Sequence, residues 1–304
     1  MRHGKYRFIV GFLVPPLLLY GIFVLSPYAQ TFYIALTDWR GLSAELNFIG
    51  LENFAELVRD GAFWNALRHN GLLLVIVPAV TIALALFFAS MLNLGGRRGG
   101  SAVQGVRGAE FYKVVYFFPQ VLSIAVIAIL WQFVYNPRSG LLNGVLDVLG
   151  LGFLRATWLG DPSLALWAVM AVLVWSGVGF YVVLFNAAIQ AIPRDLFEAA
   201  LLDGAGRLAT FRRVTLPLLW DSVQVAFVYL GIIALDAFAL VQIMTFGPGG
   251  PDDSTMVTGL YLYKNAFEYA RFGYATAIGV AMFFLTLSLA VLTLRVTRRE
   301  RVEY

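Results

Sequence analysis

Between Glu198 and Leu219 the chain reads EAALLDGAGRLATFRRVTLPLL. This stretch sets Glu198, Asp203, Arg207, Arg212 and Arg213 among alanines, two glycines and Pro217. Carboxylates and guanidinium groups spaced this way attract opposite charge, and small alanines beside them let another surface come close. They do not make a catalytic set. The chain has no cysteine and two histidines, His3 and His69, so thiolate chemistry, disulfides and Cys-based metal sites are excluded, and a Ser–His or metal-dependent hydrolase has little to be built from. Two further groups of polar residues lie inside apolar runs. LDAFALVQ carries Asp236 and ends at Gln242, and WSGVGFY carries Ser176, Gly177, Gly179, Phe180 and Tyr181. Gln132, Asn186 and Gln190 are weaker members of the same class. An ionised aspartate at the centre of a membrane helix costs about 2.5 to 3.5 kcal/mol on insertion scales. Asp236 therefore marks either a polar path or a hydrogen bond to a neighbouring helix. The glycines likewise serve either an exposed backbone or close packing, and the aromatics either a ligand or the core and interface.

The elements that must position these residues follow from composition. Of 304 residues 60% are hydrophobic and 13% charged, with a mean hydropathy of +0.77, against roughly 25% charged in ordinary soluble domains. This is the composition of an integral membrane protein. A bilayer core about 30 Å thick needs about 20 apolar residues in a helix. Six stretches reach that length: 8–36, 71–94, 114–135, 164–192, 223–246 and 275–296. Each is predicted to be a helix, because unpaired backbone groups are too costly in lipid, with Pro15, Pro16, Pro27, Pro78 and Pro119 as local breaks. The fold class is all-α and polytopic. The first stretch follows a basic start, yet its apolar run is long and no small-residue cleavage site follows, so it reads as a retained helix. Of the 22 Lys and Arg, fifteen fall at the N-terminus, in 95–113, in 193–222 and in the tail, and seven in the intervening loops. That asymmetry places both termini, and the Glu198 stretch, in the cytoplasm.

Within 193–222, Pro193 opens a predicted helix over Arg194–Asp203, with Asp195 and Glu198 in its first turns, where the helix dipole favours acids, and Gly204 ends it. Leu196, Ala199, Ala200 and Asp203 fall on one stripe. A second short helix is predicted over Arg207–Val214, after which Pro217 turns the chain toward the fifth stretch. The residues alone leave two readings: a knob that a partner grips, or a loop lying on anionic headgroups. Ala275, Ala277, Gly279 and Ala281 give small-residue pairs for a helix-packing seam. The basic loop Gly95–Gly105 reads as flexible, and the arginines of the tail read as a topology anchor.

The order Glu198-Ala199-Ala200, three residues, Gly204, nine residues, Val214-Thr215-Leu216-Pro217 resembles the cytoplasmic signature of permease subunits in binding-protein-dependent ABC importers, with Val214 where isoleucine is commoner. NFIGLENFAELVRDGAFWNALRHN (Asn47–Asn70), TWLGDPSLALWAV and TFGPGGPDDST (Thr245–Thr255) are similar to carbohydrate-uptake permeases of the maltose and glycerol-phosphate type, the last with an extra Gly-Pro. The resemblance covers nearly the whole chain. It implies a single permease domain over 1–304 with six spans in the type I importer fold, in a bacterial inner membrane. It also implies a coupling helix in 193–222, in which Glu198, Ala199, Ala200, Asp203, Gly204 and Pro217 meet an ATPase. Partners implied are a second permease subunit, two ATPase subunits and an external sugar-binding protein, in contact with lipid and without nucleic acid. Asp236, where the family often has an amide, falls with Ser176, Gly177, Phe180, Tyr181 and Gln242 on a sugar path, the aromatics offering flat faces to sugar rings. The chain has no G-x-x-x-x-G-K-[ST] phosphate loop, so ATP and Mg belong to the partner and no cofactor is expected here. A secondary transporter or channel for a small polar solute is the competing class. It would need ionisable coupling groups, of which only Asp236 and the border residue Asp221 are available.

Overall fold

The structure is a computed structural model that describes residues 2–42, 45–93, 109–245, 247 and 249–296. The expected flexible loop Gly95–Gly105 and the tail arginines Arg298, Arg299 and Arg301 lie outside them. Among the described residues everything regular is helical, apart from one isolated bridge between Thr37 and Phe48. Four helical runs are long and apolar enough to cross a membrane: Phe8–Ile34, Gly61–Leu92, Ala165–Gln190 and Phe272–Leu292. Two bent pairs join them, Val114–Val121 with Ile124–Val134 at 107° and Arg207–Leu218 with Trp220–Leu235 at 69°. The chain is thus an all-helical membrane protein with four to six candidate spans, and it divides into two compact units.

The first unit takes residues 1–64 and 261–287. It holds α1 (Arg2–Tyr20), a π-turn at Gly21–Leu25, α2 (Ser26–Ile34) and α3 (Glu52–Arg59), with the first part of α15 (Phe272–Val296). Pro15 and Pro16 sit inside α1 without ending it; the irregular turn comes later, just before Pro27. Buried Asn53 donates its amide to the carbonyls of Ala35 (2.9 Å) and Thr37 (2.8 Å), tying α3 to the end of α2. Asp60 accepts the backbone N–H of Ala62 at 2.9 Å, opening the next helix as its N-cap, and accepts the hydroxyls of Tyr261 and Tyr274. The small-residue seam of the last stretch is internal here. Ala275 and Ala277 are buried, Ala277 beside Ala35, Phe32 and Phe54.

The second unit takes residues 65–260 and 288–304. Along it run α4 (Gly61–Asn93), α5 (Ala109–Val121), α6 (Ile124–Val134), α7 (Leu141–Val148), α8 (Ala165–Gln190), α9 (Arg194–Leu202), α10 (Arg207–Thr210), α11 (Leu216–Leu218), α12 (Trp220–Leu235), α13 (Phe238–Met244) and α14 (Thr258–Tyr263). One apolar cluster joins α4, α8 and α12 through Ala85, Ala89, Tyr181, Phe185, Leu219 and Leu230. The helices depart from the expected stretches in identifiable ways. α4 begins at Gly61, ten residues before 71, because the amphipathic Phe63, Ala66, His69 and Asn70 are buried inside the protein rather than exposed in a loop. The third stretch breaks at Leu122–Ser123, just after Pro119, and Ser123 caps α6 by accepting the Val126 N–H. The basic loop expected to reach Lys113 ends earlier, where α5 begins.

Candidate coupling surface and translocation path

α9 forms where the sequence signals it. Pro193 stands before it with φ −54° and ψ 132°, and Asp195 lies in its first turn. Gly204 ends it in the left-handed region at φ +73°. Its N–H donates to the Leu201 carbonyl (3.0 Å), and the Ala205 N–H donates to that of Ala200 (2.9 Å). This paired closure, a Schellman motif, satisfies the last carbonyls of the helix. α9 is rooted by Leu196 and Phe197, which pack on the apolar cluster together with Phe211, Leu216 and Leu218. Glu198, Ala199, Leu201, Leu202, Asp203 and Gly204 face outward. The stripe expected from spacing is therefore divided: Leu196 and Ala200 turn toward the protein, Ala199 and Asp203 away. The expected helix over Arg207–Val214 is a single α-turn followed by a π-turn at Phe211–Thr215. Arg212 and Arg213 are exposed along it, while Thr215 is buried. Pro217 lies exposed in α11, ahead of the 69° bend into α12.

The fifth stretch is not one helix. α12 stops at Leu235, Asp236 and Ala237 leave the helical pattern, and α13 restarts at Phe238. The residue expected midway along a continuous helix thus sits exposed at a helix break. A buried residue on α4 supports that break. Asn70 donates its amide to the freed carbonyls of Leu235 (3.1 Å) and Ala234 (3.5 Å) and accepts from the N–H (2.7 Å) and hydroxyl (2.9 Å) of Thr258. Beside it His69 Nδ1 lies 2.8 Å from the Met256 carbonyl. A carbonyl only accepts, so the proton sits on Nδ1. Past the break, Gln132 donates to the carbonyls of Ile243 (2.6 Å) and Met244 (3.3 Å), fixing α6 against α13. Trp131 packs edge-on against Trp175 with centroids 5.3 Å apart. Buried Trp131 Nε1 and Gln242 Oε1 have no protein partner. A donor and an acceptor left open on these packed helices call for a water or a solute group.

α8 runs unbroken through WSGVGFY, so Gly177 and Gly179 do not loosen it. The Ser176 hydroxyl donates back to the Leu173 carbonyl at 3.0 Å. A Cβ on Gly177 would meet nothing nearer than Leu230 Cδ2 at 4.0 Å, whereas one on Gly179 would fall 1.7 Å from the carbonyl oxygen of Tyr116. Gly179 is the packing glycine, and it lets α5 lie directly on α8. Ser176 and Phe180, four residues apart, share one face of α8, with Phe180 exposed. Gly177 and Tyr181 share the next. Tyr181 is buried in the apolar cluster and its hydroxyl has no partner.

With this geometry in view, comparison with known proteins identifies the class. Residues 93–302 match the family of binding-protein-dependent transport system inner membrane components. The chain belongs to that family. The permease is 48% identical to the diacetylchitobiose uptake system permease protein NgcF of Streptomyces coelicolor, over 98% of this chain and 84% of the relative. It is 32% identical to the multiple sugar-binding transport system permease protein MsmF of Streptococcus mutans, covering 96% and 95% of the two chains. To the trehalose/maltose transport system permease protein MalF of Thermococcus litoralis it is 31% identical, covering 99% and 96%. Among solved structures, a bacterial ABC transporter involved in import of the acidic polysaccharide alginate superposes with a TM-score of 0.81 at 22% identity, over 97% and 96% of the two chains. The fold is that of an ABC importer permease. The permease is a multi-pass inner membrane protein, and the ATPase of such a transporter is a separate subunit.

Reading the sequence missed Asn70 and Trp131 as site residues, and it noted His69 only as one of the chain's two histidines. The signal was a His-Asn pair entering an apolar run. Counting apolar residues alone started the span at Gly71 and left the pair in a loop. Among the described residues no group of three or more His, Cys, Asp or Glu could hold a metal ion.

Proposed function

We propose that this permease is one of two membrane subunits of an ATP-driven importer that passes a sugar from an external binding protein to the cytoplasm. In this reading the six stretches are six spans with both termini in the cytoplasm, and 193–222 is the coupling loop. The observation that carries it is the form of α9: a short helix with a glycine stop, rooted in the core by Leu196 and Phe197, that presents Glu198, Ala199, Asp203 and Gly204 outward. Such a peg transmits force, since its apolar root moves with α8 and α12 while its rim meets another protein. Glu198 meets basic groups on an ATPase subunit, Ala199 and Ala200 permit close approach, and Pro217 sets the chain toward α12. ATP and Mg are held by the two ATPase subunits, and this chain needs no cofactor.

Sugar as cargo rests on the relatives, whose names cite diacetylchitobiose, multiple sugars and trehalose or maltose. On the path we place Asp236 at its helix break, Gln242 with its open acceptor, and Ser176, Gly177 and Phe180 on α8, with Tyr181 packed behind them in the apolar cluster. At the break Asp236 stands exposed between buried neighbours, while Asn70 holds the carbonyls freed there. The test is Glu198→Lys in the assembled transporter in liposomes with its binding protein. Uptake of labelled chito- or malto-disaccharide and binding-protein-stimulated ATP hydrolysis should both fall to background, with the protein still present in the membrane. Unchanged coupling in that variant overturns the reading.

A further inference from the structure

α7 and the turn after it carry a broad apolar face outward. On the inward side Leu142 and Leu146 are half-buried beside a fully buried Asn143. Buried Asn143 donates to the carbonyls of Pro137 (3.2 Å) and Ala156 (3.1 Å), and its Oδ1 accepts the Trp158 indole N–H at 2.9 Å, which closes the base of a hairpin. The outward side is apolar. Leu141, Val145, Val148 and Leu149 form a stripe at helical spacing, and the 3₁₀ turn Gly152–Leu154 extends it with Phe153. Val148 is 89% exposed and Phe153 79%. Gly150, at φ +73°, reverses the chain between them, and Asp147 pairs with Arg155 at 3.0 Å across the turn.

We infer that this hairpin is a membrane-embedded finger: the Leu141–Leu154 surface lies in the lipid interface at the end of α6 and α8, without spanning. Its level is set by the adjoining spans. The hydroxyl of Tyr135, the residue after α6, donates to the Ala168 carbonyl in the first turns of α8 (3.2 Å), so the excursion leaves and returns at one pinned point. Trp167, exposed on α8 beside that point, is the residue type that settles at the headgroup level. The stripe carries no net charge, since Asp147 and Arg155 neutralise each other at its edge. It also has no Trp, Tyr or Arg of the kind that anchors protein interfaces. An apolar, uncharged face held at the bilayer edge matches lipid better than it matches a water-soluble partner.

Because the chain has no cysteine, single spin labels report on it directly. Val148→Cys and Phe153→Cys, with Leu141→Cys as a third position, are labelled in the assembled transporter in liposomes whose partner subunits lack cysteine. Accessibility to oxygen is compared with accessibility to a water-soluble nickel complex. Phe133→Cys on α6 serves as the lipid reference and Arg138→Cys as the water reference. The finger predicts that all three hairpin labels favour oxygen over nickel severalfold, as the lipid reference does. Labels as open to nickel as the water reference overturn it. So do labels shielded from both reagents, or labels that lose nickel access only when the binding protein is added, since either result places a protein on this face.

Discussion

At Gly204 the backbone sits at φ +73°, where a Cβ crowds the following carbonyl at a cost of roughly 1 to 2 kcal/mol. Space is not the constraint there, because an added Cβ would meet nothing within 4 Å; the conformation is. Gly204→Val should therefore fray the end of α9 and uncouple ATP hydrolysis from uptake, while Gly204→Asn, which tolerates the left-handed region, should keep most of both. Uptake and ATPase rates in liposomes distinguish the two. Asn70 is the converse case, a residue whose side chain rather than backbone is needed. Asn70→Leu leaves the Thr258 N–H and the carbonyls of Ala234 and Leu235 without their partner, and each buried unpaired group costs about 1 to 3 kcal/mol. The purified transporter should melt several degrees lower, and a melting curve in detergent shows it.

Two glycines two residues apart on α8 separate packing from openness at the level of elements. Gly179→Ala drives a methyl group into the backbone of α5, and backbone cannot rotate out of the way as a side chain can. Overpacking of this kind costs about 1 to 3 kcal/mol and often more. Gly177→Ala finds only the tip of Leu230 at van der Waals distance and should leave thermal stability unchanged. Parallel melting curves and membrane yields of the two variants check this, and equal losses would remove the special role given to α5 packing. What was legible in the sequence divides along the same line. The ends of α9 carry their own local chemistry in Pro193 and Gly204, so they can be read residue by residue. The break at Asp236 cannot, because the run around it is apolar throughout and its irregular backbone is satisfied by Asn70, about 165 residues earlier in sequence. Pro119 was visible as a breaker, but so were Pro78 and the Pro15–Pro16 pair, which the helices absorb. α7 was missed for the opposite reason: its apolar residues face outward.

For the molecule as a whole, the first unit is assembled from chain segments about 200 residues apart, so long-range ties must hold it. Arg271 donates to both oxygens of Glu56 (2.6 and 2.7 Å). That pair is nearly half exposed and is worth little by itself, about 0 to 1 kcal/mol. Asp60 is the stronger candidate. Burial pushes its carboxyl up, but the hydroxyls of Tyr261 and Tyr274 and the N–H groups of Ala62 and Phe63 outweigh that and hold it below the usual carboxylate range. In return, burial and the bond to Asp60 push Tyr261 up to about 12. The sign follows. A carboxyl with a depressed folded pKa binds its proton more readily in the unfolded chain. Its contribution is therefore complete above the unfolded value of about 3.9 and is lost as pH falls through the lower folded value. Melting of the purified transporter, followed downward from about pH 5, should show an acid-labile component that sets in only below about pH 3.9. Asp60→Asn should be less stable at neutral pH and should lack that component, since an amide has no proton to gain. An unchanged acid dependence in Asp60→Asn would mean that other carboxylates hold the two ends of the chain together.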